Sequence, residues 1–314
     1  MNIWISVPTI IIPNAIISND DKRVDSFYEQ VYSAYSEPYL NLDESSVIPR
    51  LIGQENEKYV VQCIDLLRKS ETENWFPSLF VDCRSSAPIG GPAPTYRIIK
   101  DSGIITTLPI LLQGQAGSEV LQAIILVSQM KEHLKKGVLI TALQRVVYPD
   151  SRSYHDKFQL GDAVAAIGVA SSPLAFGKSF HVVGFSIAQC STESHQDFEF
   201  TVKKLLRECG ITNPNRLWAI SPSLDKDIRQ DLSQILPDVR WVNRDIHPDI
   251  NFGCADSLIS LHSTFVNSQN PPLGIGLLWF AGRFGSLGLL VLDPMSVNLW
   301  HSHTHKIPDY VKNR

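Results

Sequence analysis

The interior of the chain contains the stretch Gly117-Ser118-Glu119-Val120-Leu121-Gln122-Ala123-Ile124. Its apolar residues recur at helical spacing and the pattern continues beyond it, so the sequence predicts one amphipathic helix over residues 117–136. The first turn of a helix has unpaired N–H groups and a partial positive charge, which lower the pKa of a thiol placed there. Gly117 leaves this position without a side chain.

The charge balance excludes several classes of partner. The 314 residues include 28 basic and 32 acidic side chains, for a formal net charge of −4. Nucleic acids and anionic membranes both select a basic excess, so neither is expected as a partner. No apolar run reaches the roughly 18 residues of a membrane span, and residues 1–8 lack the basic region of a signal peptide.

Cysteine usage predicts the compartment. The chain has five cysteines, an odd number, and none of them form a CxxC pair. Widely spaced cysteines of this kind are typical of reduced thiols, so the sequence predicts a cytoplasmic protein. Its motifs predict neither cofactor nor metal, because it contains no GxxxxGK[ST], GxGxxG, HExxH or GxSxG pattern. The run His301, His303 and His305 is interpreted as a solvated tail.

Strand-like and helix-like segments alternate along the chain. Helices are predicted at 117–136, 197–210, 224–236 and 254–266, and strands at 78–83, 137–145, 181–189, 217–221, 240–243, 276–280 and 287–293. Continuous apolar strands between amphipathic helices predict an α/β fold with sheets covered on both faces. A polar stretch near residue 155 predicts two halves, 1–155 and 156–314.

Four more stretches accompany the one at Gly117. They read GDAVAA at 161–166, WAISPS at 218–223, NFGCAD at 251–256 and FAGRFGSLG at 280–288. In order and spacing, the five resemble motifs of the thiolase superfamily, specifically its ketoacyl synthase III and chalcone synthase branch, over roughly residues 78–293. The resemblance implies the duplicated, five-layered αβαβα fold of thiolases.

The resemblance also implies that a catalytic Cys-His-Asn set has been lost. Gly117 stands where that family has its acyl-carrying cysteine, and Ser221 stands where it has a histidine. Only Asn251 is retained, and Ile250 replaces the glycine that precedes it. A serine hydroxyl donates one hydrogen bond but is no acid or base near pH 7. An alternative register, which places Gln115 at the cysteine position, breaks the Leu and Ala spacing.

Three functional hypotheses follow from this resemblance. The favoured one is a catalytically silent subunit that pairs with an active ketosynthase-III-like chain, as a heterodimer or heterotetramer, in fatty-acid- or polyketide-type secondary metabolism. Its pairing surface is expected at residues 84–94 and 137–145. The second is an atypical acyltransferase or hydrolase with a relocated nucleophile, for which the candidates are Ser118, Cys83 and Cys254. The third is a module that binds an acyl carrier protein or acyl-CoA without turnover.

Overall fold

Helices and strands alternate through the part of the chain that the computed structural model describes. That part comprises residues 2–13, 56–70, 75–85, 94–104, 108–113, 117–145, 153–154, 158–173, 179–189, 195–212, 217–220, 226–268, 271–281 and 286–293. Its helices are α1 (Asn56–Ser70), α2 (Pro94–Ser102), α3 (Glu119–Ser128), α4 (Lys131–Lys136), α5 (His195–Glu208), α6 (Lys226–Ile235) and α7 (Asp256–His262). Its strands are β1 (Ile3–Ser6), β2 (Thr9–Ile11), β3 (Leu79–Arg84), β4 (Leu108–Gln113), β5 (Val138–Gln144), β6 (Ser153–Tyr154), β7 (Phe158–Leu160), β8 (Ala163–Ala170), β9 (Ser179–Gln189), β10 (Trp218–Ile220), β11 (Arg240–Val242), β12 (Ile250–Asn251), β13 (Gly276–Ala281) and β14 (Ser286–Asp293).

A large mixed sheet forms the frame of the molecule. Its strand order is β11-β10-β13-β14-β9-β1-β8-β5-β3-β4, with β2 paired beside β8. Strands β3, β4 and β5 are parallel, whereas β8 is antiparallel to β5. A second, three-stranded sheet has the order β12-β7-β6. Strands from both predicted halves share the large sheet, so the division at residue 155 stays a prediction.

Alternation along each strand separates the core into layers. On β3, Val81 and Cys83 face a central apolar cluster that contains α3 and α7, whereas Phe80 faces α1 and α2. Successive strand residues point to opposite faces, so one strand can serve both clusters. On β13, Leu278 enters the central cluster and Leu277 faces α5 and α6. The order of layers is therefore helix, sheet, helix, sheet, helix, as the resemblance implies.

The segment predicted as one helix over 117–136 is two helices. Helix α3 ends at Ser128, because the Gln129 N–H bonds the Leu126 carbonyl in a tighter turn and Met130 leaves helical geometry. The predicted helix at 254–266 is likewise divided into a 3₁₀ turn at Gly253–Ala255, α7, and a π-helical turn at Ser263–Asn267. Period-3.6 patterns continue across such breaks, which is why the sequence pattern did not reveal them.

The predicted strand at 137–145 corresponds to β5, but the pairing surface expected there is wrong. Strand β5 lies between β3 and β8, and its residues are buried throughout. Both edges of its backbone are therefore already hydrogen bonded. Of the second expected surface, 84–94, residues 86–93 lie outside the described residues.

Within the described ranges, none of the helices combines the length and apolar character that crossing a bilayer requires.

Gly161 allows the large and the small sheet to approach each other closely, beside residues 250–252. The Gly161 N–H donates to the Asn251 carbonyl at 3.0 Å. A Cβ at Gly161 would lie 2.6 Å from Ile250 Cγ2 and 2.7 Å from Phe252 Cε1. The turn that the GDAVAA motif predicts before a buried strand is confirmed, since β8 begins at Ala163 and is buried along its length.

We expect Gly161→Val to lower the free energy of unfolding by about 2 kcal/mol, because overpacking forces neighbouring groups to move. Chemical denaturation monitored by tryptophan fluorescence measures the change. The matched control is Gly210→Asn, at a position where a Cβ meets nothing within 4 Å and where φ is +72°, a conformation that asparagine tolerates. Equal stability of both variants would contradict the packing argument.

Candidate functional site

Helix α3 contacts β3, β4 and β5, and its first turn lies near Cys83 at the carboxyl end of β3. Gly117 has φ +134°, a conformation that favours glycine, and Ser118 occupies the N-cap position. The Gly117 N–H donates to Glu119 Oε2 at 2.8 Å, and the Glu119 side chain is fully buried. A carboxylate of the chain itself therefore lies in the first turn, at the positive end of this helix.

Two thiols face this helix end from neighbouring elements. Cys83 lies near the end of β3, and Cys254 lies in the 3₁₀ turn that follows β12. The Cys254 thiol donates to the Leu143 carbonyl at 3.3 Å and approaches the Cys83 carbonyl at 3.8 Å. Since the charge of Glu119 acts on both thiols, Cys83 and Cys254 lie in the same region as the first turn of α3.

Both thiols are held in the neutral form. Complete burial raises the pKa of Cys83 well above its ordinary value, and the nearby Cys254, Asp82 and Glu119 raise it further. Burial also raises the pKa of Cys254 well above its ordinary value, with the negative charge of Glu119 as the next cause. The thiolate is the nucleophilic form of cysteine. Neither side chain has the lowered pKa that a relocated nucleophile needs.

The Ser118 hydroxyl is also buried, and it has an amide neighbour. Its Oγ accepts a hydrogen bond from Gln122 Nε2 at 3.3 Å. An amide N–H donates a hydrogen bond to the hydroxyl oxygen and cannot accept the hydroxyl proton. This contact therefore does not activate Ser118 for attack.

Asn251 is half-buried in the short strand β12. Its Oδ1 accepts a hydrogen bond from the Gly253 N–H at 2.6 Å. Gln144, at the end of β5, packs so closely on Gly253 that a Cβ there would overlap Gln144 Oε1. Gly253 has φ +48°, so this contact requires glycine both for its conformation and for its size. Asn251 is thereby held on the same turn as Cys254.

One buried arginine organises the loop that carries Asn251. Arg244 Nη1 pairs with Asp256 Oδ1 at 2.7 Å, and Nη2 donates to the carbonyls of His247 and Ile250. The guanidinium lies 5.2 Å from the centroid of the Phe252 ring. Sequence reasoning missed this residue, because a single arginine between the polar residues Asn243 and Asp245 gives no local sign that it is buried.

A second buried network, also missed, lies on the other face of β3. Asp82 accepts hydrogen bonds from Arg84 Nε at 2.8 Å and from Thr141 Oγ1 at 3.2 Å. Arg84 Nη1 also pairs with Glu57 Oε1 of α1 at 3.4 Å. Burial raises the pKa of Asp82, while the charge and hydrogen bond of Arg84 oppose the rise. Alternate residues of a single strand thus serve the site and this ion-pair network.

Several predicted residues lie outside the described residues, namely Ser221, Gln115, the histidines at 301, 303 and 305, and residues 282–285 of the glycine-rich hairpin. Gly288 of that hairpin is described, and a Cβ there would overlap Leu121 of α3. Among the residues described, no group of three or more His, Cys, Asp or Glu side chains is arranged to hold a metal ion.

The fold is one that several solved structures share. Its layered sheets and helices are those of thiolase-like ketoacyl synthase III folds, which confirms the fold predicted from the sequence motifs. No protein-family model matches the sequence, and no curated protein sequence matches it. The likeness therefore comes from structure.

Solved structures with this fold include known condensing enzymes. ChlB3, an acyltransferase, is similar with a TM-score of 0.68 at 15% identity, over 94% of this chain and 98% of ChlB3. The 3-oxoacyl-(acyl carrier protein) synthase III FabH of Pseudomonas aeruginosa PAO1 has a TM-score of 0.64 at 13% identity, over 93% of this chain and 98% of FabH. The tetronic acid condensing enzyme AbyA1 has a TM-score of 0.62 at 14% identity, over 93% of this chain and 99% of AbyA1.

We expect Arg244→Met to lower the free energy of unfolding by about 3–5 kcal/mol, because it leaves Asp256 buried without its cation. Denaturant titration measures the loss. The double variant Arg244→Met/Asp256→Leu should recover part of it, since both charges are then removed. As a control, Arg97→Met removes an exposed pair with Asp101 and should cost less than about 1 kcal/mol.

We expect the protein to lose stability as pH rises above about 8.5, the ordinary pKa of a thiol in the unfolded chain. There the unfolded chain releases thiol protons that the folded Cys83 and Cys254 keep, because their folded pKa values are raised. The loss approaches about 1.4 kcal/mol per pH unit for each thiol. Denaturant titrations between pH 7 and 10 should give a flatter dependence for Cys83→Ala/Cys254→Ala. Identical slopes above pH 8.5 would refute the assignment.

Proposed function

We propose that the chain is a catalytically silent, ketosynthase-III-like subunit that pairs with an active condensing enzyme in fatty-acid- or polyketide-type secondary metabolism. The observation that carries the proposal is the first turn of α3, where Gly117 supplies no side chain and Glu119 binds the free N–H. Claisen condensation of this type needs an acyl group on a cysteine at that place. The neutral state of Cys83 and Cys254 supports a silent site over a relocated nucleophile.

The similar solved structures support the biosynthetic context. ChlB3 is an acyltransferase and AbyA1 is a condensing enzyme for tetronic acid. Each is covered almost completely by this chain, so the likeness is not confined to one motif. The described cysteines at 63, 83, 209 and 254 are free thiols, which supports the cytoplasmic location proposed for the complex.

An apolar edge supports pairing with another chain. Strand β4 ends the order of the described sheet, and its sequence is LPILLQ. Leu108 is exposed, and the four residues that follow it are partly exposed. Helix α3, which contacts β4, presents the exposed Leu126. An unpaired apolar edge strand invites association unless a partner covers it. This surface, defined as β4 with Leu126, replaces the one expected at 137–145.

Pro109 supports a different chain as the partner over a second copy. Proline has no N–H and is tolerated in sheets where its nitrogen faces an open edge. If two β4 strands pair antiparallel about a two-fold axis, both strands lack the proline N–H and two hydrogen bonds are lost. If the partner strand has no proline at the matching position, only one hydrogen bond is lost. A hydrogen bond is worth about 1 kcal/mol net, so self-pairing is the weaker arrangement.

The proposal predicts co-purification with a homologous condensing enzyme that has an intact Cys-His-Asn set, when the two are co-expressed. Native mass spectrometry should show a heterodimer or heterotetramer. Leu126→Asp should weaken the complex by at least tenfold, because a charge would be buried in the interface. Phe200→Asp is the matched control, since Phe200 is exposed on α5 and away from the β4 edge; this variant should leave the complex intact.

Two further measurements separate the hypotheses. Incubation of the isolated chain with acyl-CoA should give no acyl adduct by intact mass, whereas an adduct on Ser118, Cys83 or Cys254 would support the relocated nucleophile. Sedimentation velocity should show that Pro109→Val strengthens self-association. A wild-type homodimer that is already tight, and is unchanged by Pro109→Val, would count against the heterologous partner.

A further inference from the structure

The contact between Gly117 and Glu119 has a role beyond helix capping. Glu119 is the first residue of α3, and its carboxylate turns back to accept the N–H of the residue two positions earlier, at 2.8 Å. Both residues are buried. A carboxylate in this place compensates the partial positive charge of the helix end. It also occupies the Gly117 N–H, which is then not available to another anion.

We infer that Glu119 closes the N-terminus of α3 with an internal anion, so that a thiol restored at position 117 would not become a nucleophile. The inference rests on the proposed function, in which the chain has no condensing activity of its own. It adds a second barrier, independent of the missing cysteine. The silent state is then a property of the local charge as well as of the missing side chain.

The charged groups around the site agree with this inference. Glu119 contributes to the raised pKa of Cys254 from α3, and Asp82 contributes from β3. Arg84 opposes them, but its guanidinium is already shared between Asp82 and Glu57. The Ser85 N–H also favours the Cys254 thiolate. Burial and the carboxylates nevertheless prevail, so the surroundings of the helix end disfavour a second anion.

The test compares Gly117→Cys with Gly117→Cys/Glu119→Gln in the full chain. Glutamine retains a side-chain oxygen that can accept the N–H of residue 117, so the second substitution removes the charge and keeps the acceptor. The pH dependence of thiolate absorbance gives the pKa of the introduced thiol. We expect a value above about 8.5 with Glu119 present. Glu119→Gln should lower it by at least one pKa unit.

Alkylation supplies a second readout. At pH 7.5 the double variant should react with iodoacetamide at least tenfold faster than Gly117→Cys, because the thiolate is the reactive form. The wild-type chain, treated in parallel, gives the background from its own cysteines. Glu132→Gln, at an exposed position on α4, is the control for the loss of one negative charge and should leave the rate unchanged.

Because Gly117 has a positive φ, cysteine there is strained, and a second pair guards against misfolding. Ser118→Cys places the thiol at a residue with φ −99°, which every L residue tolerates. Comparison with Ser118→Cys/Glu119→Gln should show the same downward shift. Differences below about 0.3 pKa unit in both pairs would overturn the inference. Since these values are measured on the isolated chain, they do not depend on whether a partner subunit is found.

Discussion

The hydrogen bond from the Gly117 N–H to the Glu119 carboxylate sets the chemistry of the site. A helix end stabilises an anion by at most about 2 kcal/mol. Two like charges about 4 Å apart repel by about 4 kcal/mol at the effective dielectric near a protein surface. Burial is the main reason that Cys83 and Cys254 stay neutral, and the negative charge of Glu119 adds to it.

The layered core accounts for the stability of this scaffold. Helices α3 and α7 fill the space between the two parts of the sheet, and inward-facing residues from both parts pack on them. Close contacts at Gly161 and Gly288 leave little room for change. Stability depends on this burial, whereas the nucleophile of a condensing enzyme contributes chemistry alone. The fold therefore does not require a side chain at Gly117.

Much of the fold could be predicted because it depends on local patterns. Strands β3, β5, β13 and β14 are short apolar runs bounded by turn residues, and the turn at Gly161 precedes a strand of small residues. The break at Gln129 was missed because the amphipathic pattern continues across it. Strand β4 was missed because no clear turn sequence precedes it. At the candidate site the sequence pointed to Gly117 and Asn251, whereas Glu119 was taken only as a helix residue and Arg244 was not considered.

The sequence by itself determined the class of fold, the order of its motifs and the absence of a cysteine at the start of α3, because these follow from residue identity and spacing along the chain. Only the tertiary structure decided that the Glu119 carboxylate bonds the Gly117 N–H and that Cys254 meets the ends of β3 and β5. It also decided that β5 is interior while β4 is the edge. These outcomes depend on burial and on pairing between distant segments, which raise pKa values and satisfy backbone groups in ways that local patterns do not encode.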